Sequence, residues 1–225
     1  MQQQHHSNTY RLLYIPIVFL FLLSFTDCAK KGRPSGGLRD TIAPVILRSA
    51  PENFTTNFKN NEIRITFDEF IKVKDISKEL IISPPLKYAP IITPLSVSKV
   101  LKIKILDTLK DNTTYSFNFG NSIQDNNEGN LFPNYKYVFS TGSYIDSLTL
   151  KGTAIDALLP VTDFPTTVAL YQVDQSYKDS LVFLEKPTYI TTTINETNNF
   201  ELSNLKQGTY QLIALKEQTR NYTFQ

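Results

Sequence analysis

Apolar and polar residues alternate with a period of two over four runs in the first half of the chain. The runs lie at residues 63–67, 101–105, 115–119 and 135–139. Successive side chains of a strand point to opposite faces, so each run predicts a β-strand with one face in a core and the other in water. Turn-forming Asn, Asp and Pro residues separate the runs. The first half therefore predicts a sandwich of short strands.

Shorter apolar runs continue this pattern in the second half, at residues 148–150, 168–170, 181–183, 189–194, 200–202 and 210–214. We interpret each of them as a further strand and place the boundary between the two sets near residues 143–146. Only residues 75–82 (DISKELII) are also compatible with a helical turn before a strand. The sequence predicts an all-β fold of two tandem β-sandwiches.

Residues 12–26 (LLYIPIVFLFLLSFT) stand apart from the strand pattern, because they are apolar throughout and carry no charge. A transmembrane helix needs about 20 such residues, so these fifteen are better matched to the apolar core of a secretory signal peptide. They end at Asp27-Cys28, and the following residues 29–41, rich in Gly, Pro and charges, predict a flexible linker.

An apolar run, then a cysteine, then a polar tether resembles a lipoprotein signal. The resemblance implies a signal peptide over residues 1–27, acylation of Cys28 with palmitate-type chains, and a tether over residues 28–41. One departure is Asp27, which stands where lipoprotein signals carry a small residue. An uncleaved membrane anchor and conventional cleavage therefore stay open as alternatives. In the Bacteroidota lipoproteins that this signal resembles, acidic residues just after the cysteine are associated with display at the cell surface. Such residues are absent after Cys28, so the resemblance implies the periplasmic face of the outer membrane.

Composition narrows the function classes. With 23 basic and 21 acidic residues the chain is nearly balanced, which argues against a nucleic-acid partner, since such binding needs a basic face. The only histidines, His5 and His6, lie in the predicted signal peptide, so a mature Ser-His-Asp arrangement is excluded. The adjacent carboxylates Asp68 and Glu69 diverge on a strand. We predict no catalytic residues and no cofactor.

Residues 125–130 (DNNEGN) are rich in oxygen ligands, as the start of a calcium loop would be. An EF-hand loop needs glycine at its sixth position and glutamate at its twelfth. Here Gly129 is fifth and Lys136 is twelfth, so the pattern fails. We predict a turn that uses Gly and Asn for positive φ and no metal site, with a weak surface calcium site as the alternative.

Asp followed by Ser or Thr and then an apolar residue occurs four times, where this composition predicts about one occurrence. The pattern resembles the O-glycosylation acceptor sequence of exported Bacteroidota proteins. The resemblance implies glycans on Thr41, Thr108, Ser147 and Ser180. The alternative is that Asp-Ser and Asp-Thr mark turns that enter strands.

Exposed tyrosines in a β-sandwich could also stack on sugars, although Trp, the strongest stacking residue, is absent. The candidates are Tyr88, Tyr144, Tyr171, Tyr177 and Tyr189.

Two further resemblances cover the rest of the chain. The segments TIAPVILRSAPENF, IRITFDEFIKVKD, LKDNTTYSFNF, IQDNNEGN and YKYVFSTG make residues 42–142 similar to a bacterial Ig-like domain. The segment NNFELSNLKQGTYQLIALKE makes residues 147–225 resemble a transthyretin-like or carboxypeptidase-regulatory-like sandwich, in which Gln225 falls within a strand and predicts a truncated domain. The whole arrangement is similar to an envelope lipoprotein family of Bacteroidota.

These resemblances imply a non-catalytic, lipid-anchored envelope protein that acts as a structural or interaction module. Its expected partners are the membrane, through the lipid, and envelope proteins or glycans. The alternative is a glycan-binding accessory lipoprotein.

Overall fold

Thirteen strands and two single-turn helices form the regular structure of the described residues, which are 37–156, 165–194 and 197–216 of the computed structural model. The elements of the first half are β1 (Ile46–Ala50), β2 (Glu62–Val73), α1 (Ile76–Glu79), β3 (Ile81–Ser83), β4 (Ile91–Thr93), β5 (Ser98–Lys104), β6 (Thr114–Asn118), β7 (Ile123–Asp125) and β8 (Lys136–Ser140). Those of the second half are β9 (Leu148–Thr153), β10 (Thr167–Gln172), α2 (Leu181–Leu184), β11 (Tyr189–Thr192), β12 (Asn199–Leu205) and β13 (Tyr210–Leu215). The predicted all-β fold is confirmed.

Two antiparallel sheets form the first sandwich. One sheet has the order β1-β2-β5-β4, with β7 pairing the end of β2, and the other has the order β3-β6-β8. The register pairs Ile63 with Ile103 and Ile65 with Leu101, so the apolar positions of two predicted strands lie side by side on one face. These four side chains are fully buried and share one core with Phe117 of the other sheet.

Aromatic side chains fill the centre of this core. Phe139 of β8 stacks on Phe58, with ring centroids 4.0 Å apart, and its ring lies 5.5 Å from that of Tyr115 on β6. Tyr137 is fully buried as well, and its hydroxyl donates to the carbonyl oxygen of Pro51 at 2.9 Å. Burying one aromatic side chain of this size contributes roughly 1.5–3 kcal/mol. The first sandwich is therefore held mainly by rings, and the buried hydroxyl has a partner.

A second, smaller sandwich follows. Its three-stranded sheet has the order β11-β10-β13, and β9 pairs with β12 in a two-stranded sheet. All the pairings are antiparallel. Val168 and Leu170 from the larger sheet pack against Phe200 and Leu202 from the smaller one. The core between the layers is thus supplied by alternate residues of β10 and β12, as period-two alternation requires.

The expectation of one solvated face is wrong for β6, and β10 in the second sandwich is likewise covered on both faces. Thr114 and Ser116 of β6 are buried, and so are residues 167–171 of β10. The outer face of β6 lies against β12 of the second sandwich, and α2 packs over the outer face of β10 through Val182 and Tyr171. A second layer of protein takes the place of water on both faces.

Residues 181–183, predicted as a strand, form the helical turn α2 instead. A short apolar run carries no periodicity that separates a strand from a helical turn. Only Val182 of this turn is buried, and it packs against Ala169 and Tyr171 of β10. Residues 75–82, which the sequence left open, contain a helical turn before a strand, because α1 precedes β3.

The described residues from Asp40 onward form one compact unit, in which the two sandwiches pack directly against each other. β3 and β6 of the first sandwich contact β11 and β12 of the second. The backbone N–H of Ile190 donates to Oγ of Ser83 at 3.1 Å, and Nζ of Lys186 donates to the carbonyl oxygen of Leu86 at 2.6 Å. Polar contacts therefore join the sandwiches along this junction.

Asp146 connects the two sandwiches at one end of the junction. Its carboxylate accepts a hydrogen bond from the hydroxyl of Thr114 on β6 at 2.8 Å, and its carbonyl oxygen accepts one from Nδ2 of Asn204 on β12 at 3.0 Å. Asp146 and Thr114 are both buried. The segment between the sandwiches is thus fixed to both of them at this residue.

Candidate functional site

The predicted lipidation residue, Cys28, lies outside the described residues. No helix in the described part of the chain is long and apolar enough to cross a bilayer.

The four candidate O-glycosylation acceptors all lie at the surface. Thr41, Thr108, Ser147 and Ser180 are exposed. Exposure is what a glycosylating enzyme requires, and the four hydroxyls meet that requirement.

The aspartates that precede two of these hydroxyls accept backbone hydrogen bonds of different kinds. Asp40 accepts the backbone N–H of Ile42, two residues on, at 2.9 Å, as in an Asx turn. Asp107 accepts the backbone N–H groups of Lys87 and Tyr88, about twenty residues away, and so joins two distant loops. The acceptor and turn hypotheses are therefore compatible at Asp40.

The adjacent carboxylates of Asp68 and Glu69 have separate environments. Asp68 accepts the backbone N–H of Val45 at 2.8 Å and so holds the chain where it enters β1. Glu69 is partly buried, and desolvation raises its pKa, with a further increase from the nearby carboxylates of Asp125 and Asp68. One carboxylate is occupied by the backbone and the other lies among like charges.

The loop at residues 125–130 is organised around a buried carboxylate. Asp125 is 1% exposed and accepts the backbone N–H groups of Glu128 (2.7 Å), Gly129 (3.1 Å) and Asn130 (2.7 Å). Gly129 has φ of +80°, a conformation that glycine adopts at little cost. The prediction of a turn is confirmed. In the described residues, no group of three or more His, Cys, Asp or Glu side chains is placed to hold a metal ion.

Asn130 holds the incoming chain against this loop. Its Nδ2 donates to the carbonyl oxygens of Asp40 (3.2 Å) and Ile42 (3.0 Å), about ninety residues away in sequence. We call this pair of bonds the Asn130 clamp. Together with the bond from Val45 to Asp68, it fixes the path by which the chain enters the first sandwich. Sequence reasoning did not find the clamp, since nothing local to Asn130 indicates so distant a partner.

The proposed tyrosine platform is only partly at the surface. Tyr88 and Tyr144 are exposed, but Tyr171 and Tyr189 are buried in the second sandwich, and Tyr177 packs at the edge of its outer cluster. Burial raises the pKa of Tyr189, and its hydroxyl accepts the backbone N–H of Lys206 at 3.1 Å. The expectation that Tyr171 and Tyr189 face outward is wrong. Tyr189 packs in the core of the second sandwich, and Tyr171 lies on the outer face of β10, which α2 covers.

A polar cleft of about 580 Å³ lies at the junction of the two sandwiches. We call it the junction cleft. The side chains of Asn118, Asn121 and Asn134 line it from the first sandwich, and those of Thr191, Thr192 and Glu201 line it from the second. Amides and hydroxyls both donate and accept hydrogen bonds, so these groups suit a polar ligand. The cleft was not visible in the sequence because each sandwich supplies one wall.

A fixed turn forms part of the lining of the junction cleft. Gly120 has φ of +52°, and a Cβ there would lie 2.4 Å from Oε2 of Glu79. The same oxygen accepts the backbone N–H of Asn121 at 2.9 Å. Glycine is therefore required at position 120, and Glu79 positions the turn that carries Asn121.

A family model matches the first sandwich. Residues 40–141 match the model of the bacterial Ig-like domain. This part of the chain is therefore similar to a bacterial Ig-like domain, and we refer to the first sandwich as the Ig-like domain below. No curated protein matches the chain. No solved structure matches it either.

The Ig-like domain includes the Asn130 clamp, since the match begins at Asp40, the residue whose carbonyl oxygen is clamped. It ends at Thr141, one residue past β8 and before the buried Asp146. Ig-like domains of this kind are generally structural or interaction modules rather than catalytic ones. One wall of the junction cleft therefore belongs to the Ig-like domain, and the other belongs to the second sandwich.

Proposed function

We propose that this protein is a non-catalytic module of the bacterial cell envelope, held to the outer membrane by a lipid on Cys28 and facing the periplasm. The observation that carries the proposal is an Ig-like domain that begins twelve residues after the only cysteine, which itself ends an apolar leader. This arrangement supports membership of a Bacteroidota lipoprotein family whose second domain is a transthyretin-like sandwich. The module works by presenting its loops and sheet edges to envelope partners.

The lipid accounts for stable attachment. Each buried CH₂ group of an acyl chain contributes about 0.8 kcal/mol, so two chains hold a protein firmly where one holds it only reversibly. The segment at residues 29–39 contains Gly32, Pro34, Gly36 and Gly37, a composition typical of a spacer between anchor and domain.

Intact mass and membrane partition of the protein from its host test the anchor. We expect the wild-type chain to begin at an acylated Cys28 and to sediment with membranes, and the Cys28→Ala chain to lose the acyl mass and the processing. An Asp27→Ala chain is the matched control, since it restores a small residue before the cysteine and should be processed at least as well. An unmodified Cys28 in the wild-type chain would overturn the lipid anchor.

The same mass measurement tests the surface hydroxyls. We propose Thr41, Thr108, Ser147 and Ser180 as O-glycan acceptors, supported by their exposure. Added hexose mass should fall stepwise as the four are replaced by alanine. Replacement of Ser143, exposed but lacking the preceding aspartate, should leave the mass of the glycans unchanged. A native protein without hexose mass would exclude this modification.

The junction cleft favours a second candidate, a glycan-binding accessory role. Its amides and hydroxyls match the hydrogen-bonding groups of a sugar. Glycan-array binding that is lost in Asn118→Ala and Thr191→Ala, and kept in Asn60→Ala on the exposed β1–β2 loop, would support it. Equal binding by all three variants would exclude the cleft as the site.

A further inference from the structure

The outer face of the first sheet gathers cationic side chains. Arg64 of β2 lies directly opposite Lys102 of β5, and Lys104 lies two residues along the same strand. Arg48 of β1 pairs with Thr66, two residues from Arg64. All four cations are exposed. We call these four residues the basic face.

The basic face is not neutralised by its neighbours. Glu62 of β2 is the carboxylate that lies on the same face as these paired cations. It lies opposite Lys104 and forms an ion pair with Arg64 at 2.5 Å. Four cations against one carboxylate leave a local excess of three positive charges. Like charges directly opposite each other on a sheet are destabilising, so the Arg64–Lys102 pair would be stabilised by a further anion in addition to Glu62.

Exposed aliphatic side chains border these cations. Ile91 of β4 pairs with Lys104 on the same face and is 49% exposed. Leu95, two residues past β4, is 95% exposed, and Leu106, two residues past Lys104, is 49% exposed. A soluble polyanion offers nothing to such side chains, whereas the headgroup region of a bilayer takes both cations and aliphatic groups. This combination favours a membrane surface as the partner.

We propose that the basic face lies against anionic lipid headgroups and is the surface by which the Ig-like domain rests on its membrane. The inference deepens the proposed function and rests on the chain being held at a membrane. Asp40 lies twelve positions after Cys28, a reach of at most about 43 Å. Arg64 of the basic face lies four residues, about 13 Å, along β2 from Asp68, where the incoming chain is held, so the basic face lies within that reach.

Charge is polarised along β2, which gives the domain an orientation. Asp68, Glu69 and Asp125 lie at the end of the strand where the chain enters, and Lys72 and Lys99 offset part of their negative charge. The basic face, in which four cations meet one carboxylate, lies toward the other end. Anionic headgroups repel the first end and attract the second. The Arg64 end should therefore lie closest to the lipid.

The test measures which face is near the lipid. The full chain carrying Cys28→Ala, with its leader retained, is inserted into vesicles, so attachment does not depend on acylation. A fluorophore is placed on Thr66→Cys, within the basic face, or on Gln207→Cys, exposed on the β12–β13 turn. Each new cysteine is then the only thiol in the chain. A quencher attached to lipid headgroups reports proximity in vesicles of phosphatidylcholine alone or with phosphatidylglycerol added to about 30%, where surface charge attracts cations.

We expect quenching at Thr66→Cys to exceed that at Gln207→Cys several-fold in the anionic vesicles, and the excess to fall at high salt because charges are screened. Combining Arg64→Gln with Lys102→Gln should remove the excess without disturbing the fold, since both side chains are exposed. The matched pair Lys110→Gln and Lys178→Gln, exposed elsewhere, should leave it intact.

Equal quenching at the two positions, or quenching independent of the anionic lipid, would overturn the proposal. So would dextran sulfate binding that needs Arg64 and Lys102 while the vesicles give no excess, since the partner would then be a soluble polyanion. Because acylation plays no part in this experiment, failure here is distinct from failure of the Cys28 anchor, which the mass measurement reads separately.

Discussion

At the scale of single residues, Asp125 contributes most to the order of the loop that follows β7. Its carboxylate takes three backbone N–H groups that would otherwise lack partners. Removing the acceptor leaves donors unsatisfied, and each such loss costs about 1–3 kcal/mol when the group is buried.

We therefore expect Asp125→Ala to lower the free energy of unfolding by about 2–3 kcal/mol. Urea denaturation followed by circular dichroism measures the change. Asp111→Ala is the control, because Asp111 is exposed and only its carbonyl oxygen is bonded. A loss below the error of the measurement would show that the loop does not depend on its central carboxylate.

The same residue predicts a pH dependence. Burial raises the pKa of Asp125, but the N–H groups of Asn130, Gly129 and Glu128 outweigh it, and the net pKa lies below the ordinary 3.8. A carboxyl whose pKa is lowered by folding adds stability above its unfolded pKa, and this is lost as pH falls through the folded value.

The stability difference between wild type and Asp125→Asn should therefore be largest near neutral pH and should shrink below about pH 4. Thermal melts between pH 7 and pH 2.5 measure it. A difference that stays constant over this range would contradict the lowered pKa.

The turn at residues 125–130 could be predicted because glycine marks positive φ locally, and Gly129 has it; the expectation of positive φ at an asparagine of this segment is wrong. The role of Asp125 as its centre could not, since three donors converge on it only once the loop is closed. The Asn130 clamp was hidden for the same reason.

At the scale of elements, β9 and β12 pack closely because a glycine of β9 lies opposite an aromatic ring of β12. Gly152 pairs with Phe200, and a Cβ on Gly152 would lie 2.7 Å from that ring. Phe200 is buried in the second core, so its ring has little room to move.

We expect Gly152→Val to destabilise the second sandwich by about 1–3 kcal/mol, the usual cost of overpacking. Gly37→Ala should have no effect, because its Cβ would meet nothing within 4 Å. Differential scanning calorimetry of both variants measures this, and an unchanged melting temperature for Gly152→Val would show that Phe200 relocates freely.

Strands with one exposed face were the elements that the sequence predicted best. β2 and β5 keep strict alternation because their outer face meets water, so Ile63 and Ile103 stand out against polar neighbours. β6 and β10 are covered on both faces, and their pattern no longer distinguishes inside from outside. Residues 181–183 were misassigned because a buried Val182 serves a helical turn as well as a strand.

At the scale of the whole molecule, contacts at the junction join the described parts of the two sandwiches into one compact unit. Asp146 is bonded to Thr114 in the first sandwich and to Asn204 in the second. Loss of its carboxylate would leave the hydroxyl of Thr114, which is 1% exposed, without this acceptor.

Asp146→Ala should cost about 1–3 kcal/mol, the penalty for an unsatisfied buried group, and should separate the unfolding of the two sandwiches into distinct transitions. Tyrosine fluorescence and circular dichroism, recorded along one urea gradient, should coincide for wild type and diverge for the variant. Asp179→Ala, exposed in the second sandwich, is the control. Coincident curves for Asp146→Ala would place the coupling elsewhere along the junction.

The total charge of the chain does not show which charged side chains the fold brings together. The near balance of charges argued against a nucleic-acid partner and gave no sign of a local basic surface, yet antiparallel register places Arg64 opposite Lys102 although they are 38 positions apart. The junction cleft escaped prediction in the same way, because Asn118 and Thr191 become neighbours only when two sandwiches pack. Sequence patterns predict which face of a strand is buried, and long-range register decides which polar groups meet.

The Asn130 clamp also affects how the domain responds to a pulling force. When a tethered domain is pulled away from its anchor, tension travels along the incoming chain and reaches the carbonyl oxygens of Asp40 and Ile42 before it reaches β1. Asn130 passes that force into the loop held by Asp125, next to β7, before β1 is stretched. The edge strand β1 therefore bears the force only after these bonds. Modest forces break and re-form the two side-chain bonds of the clamp while the sheet stays intact.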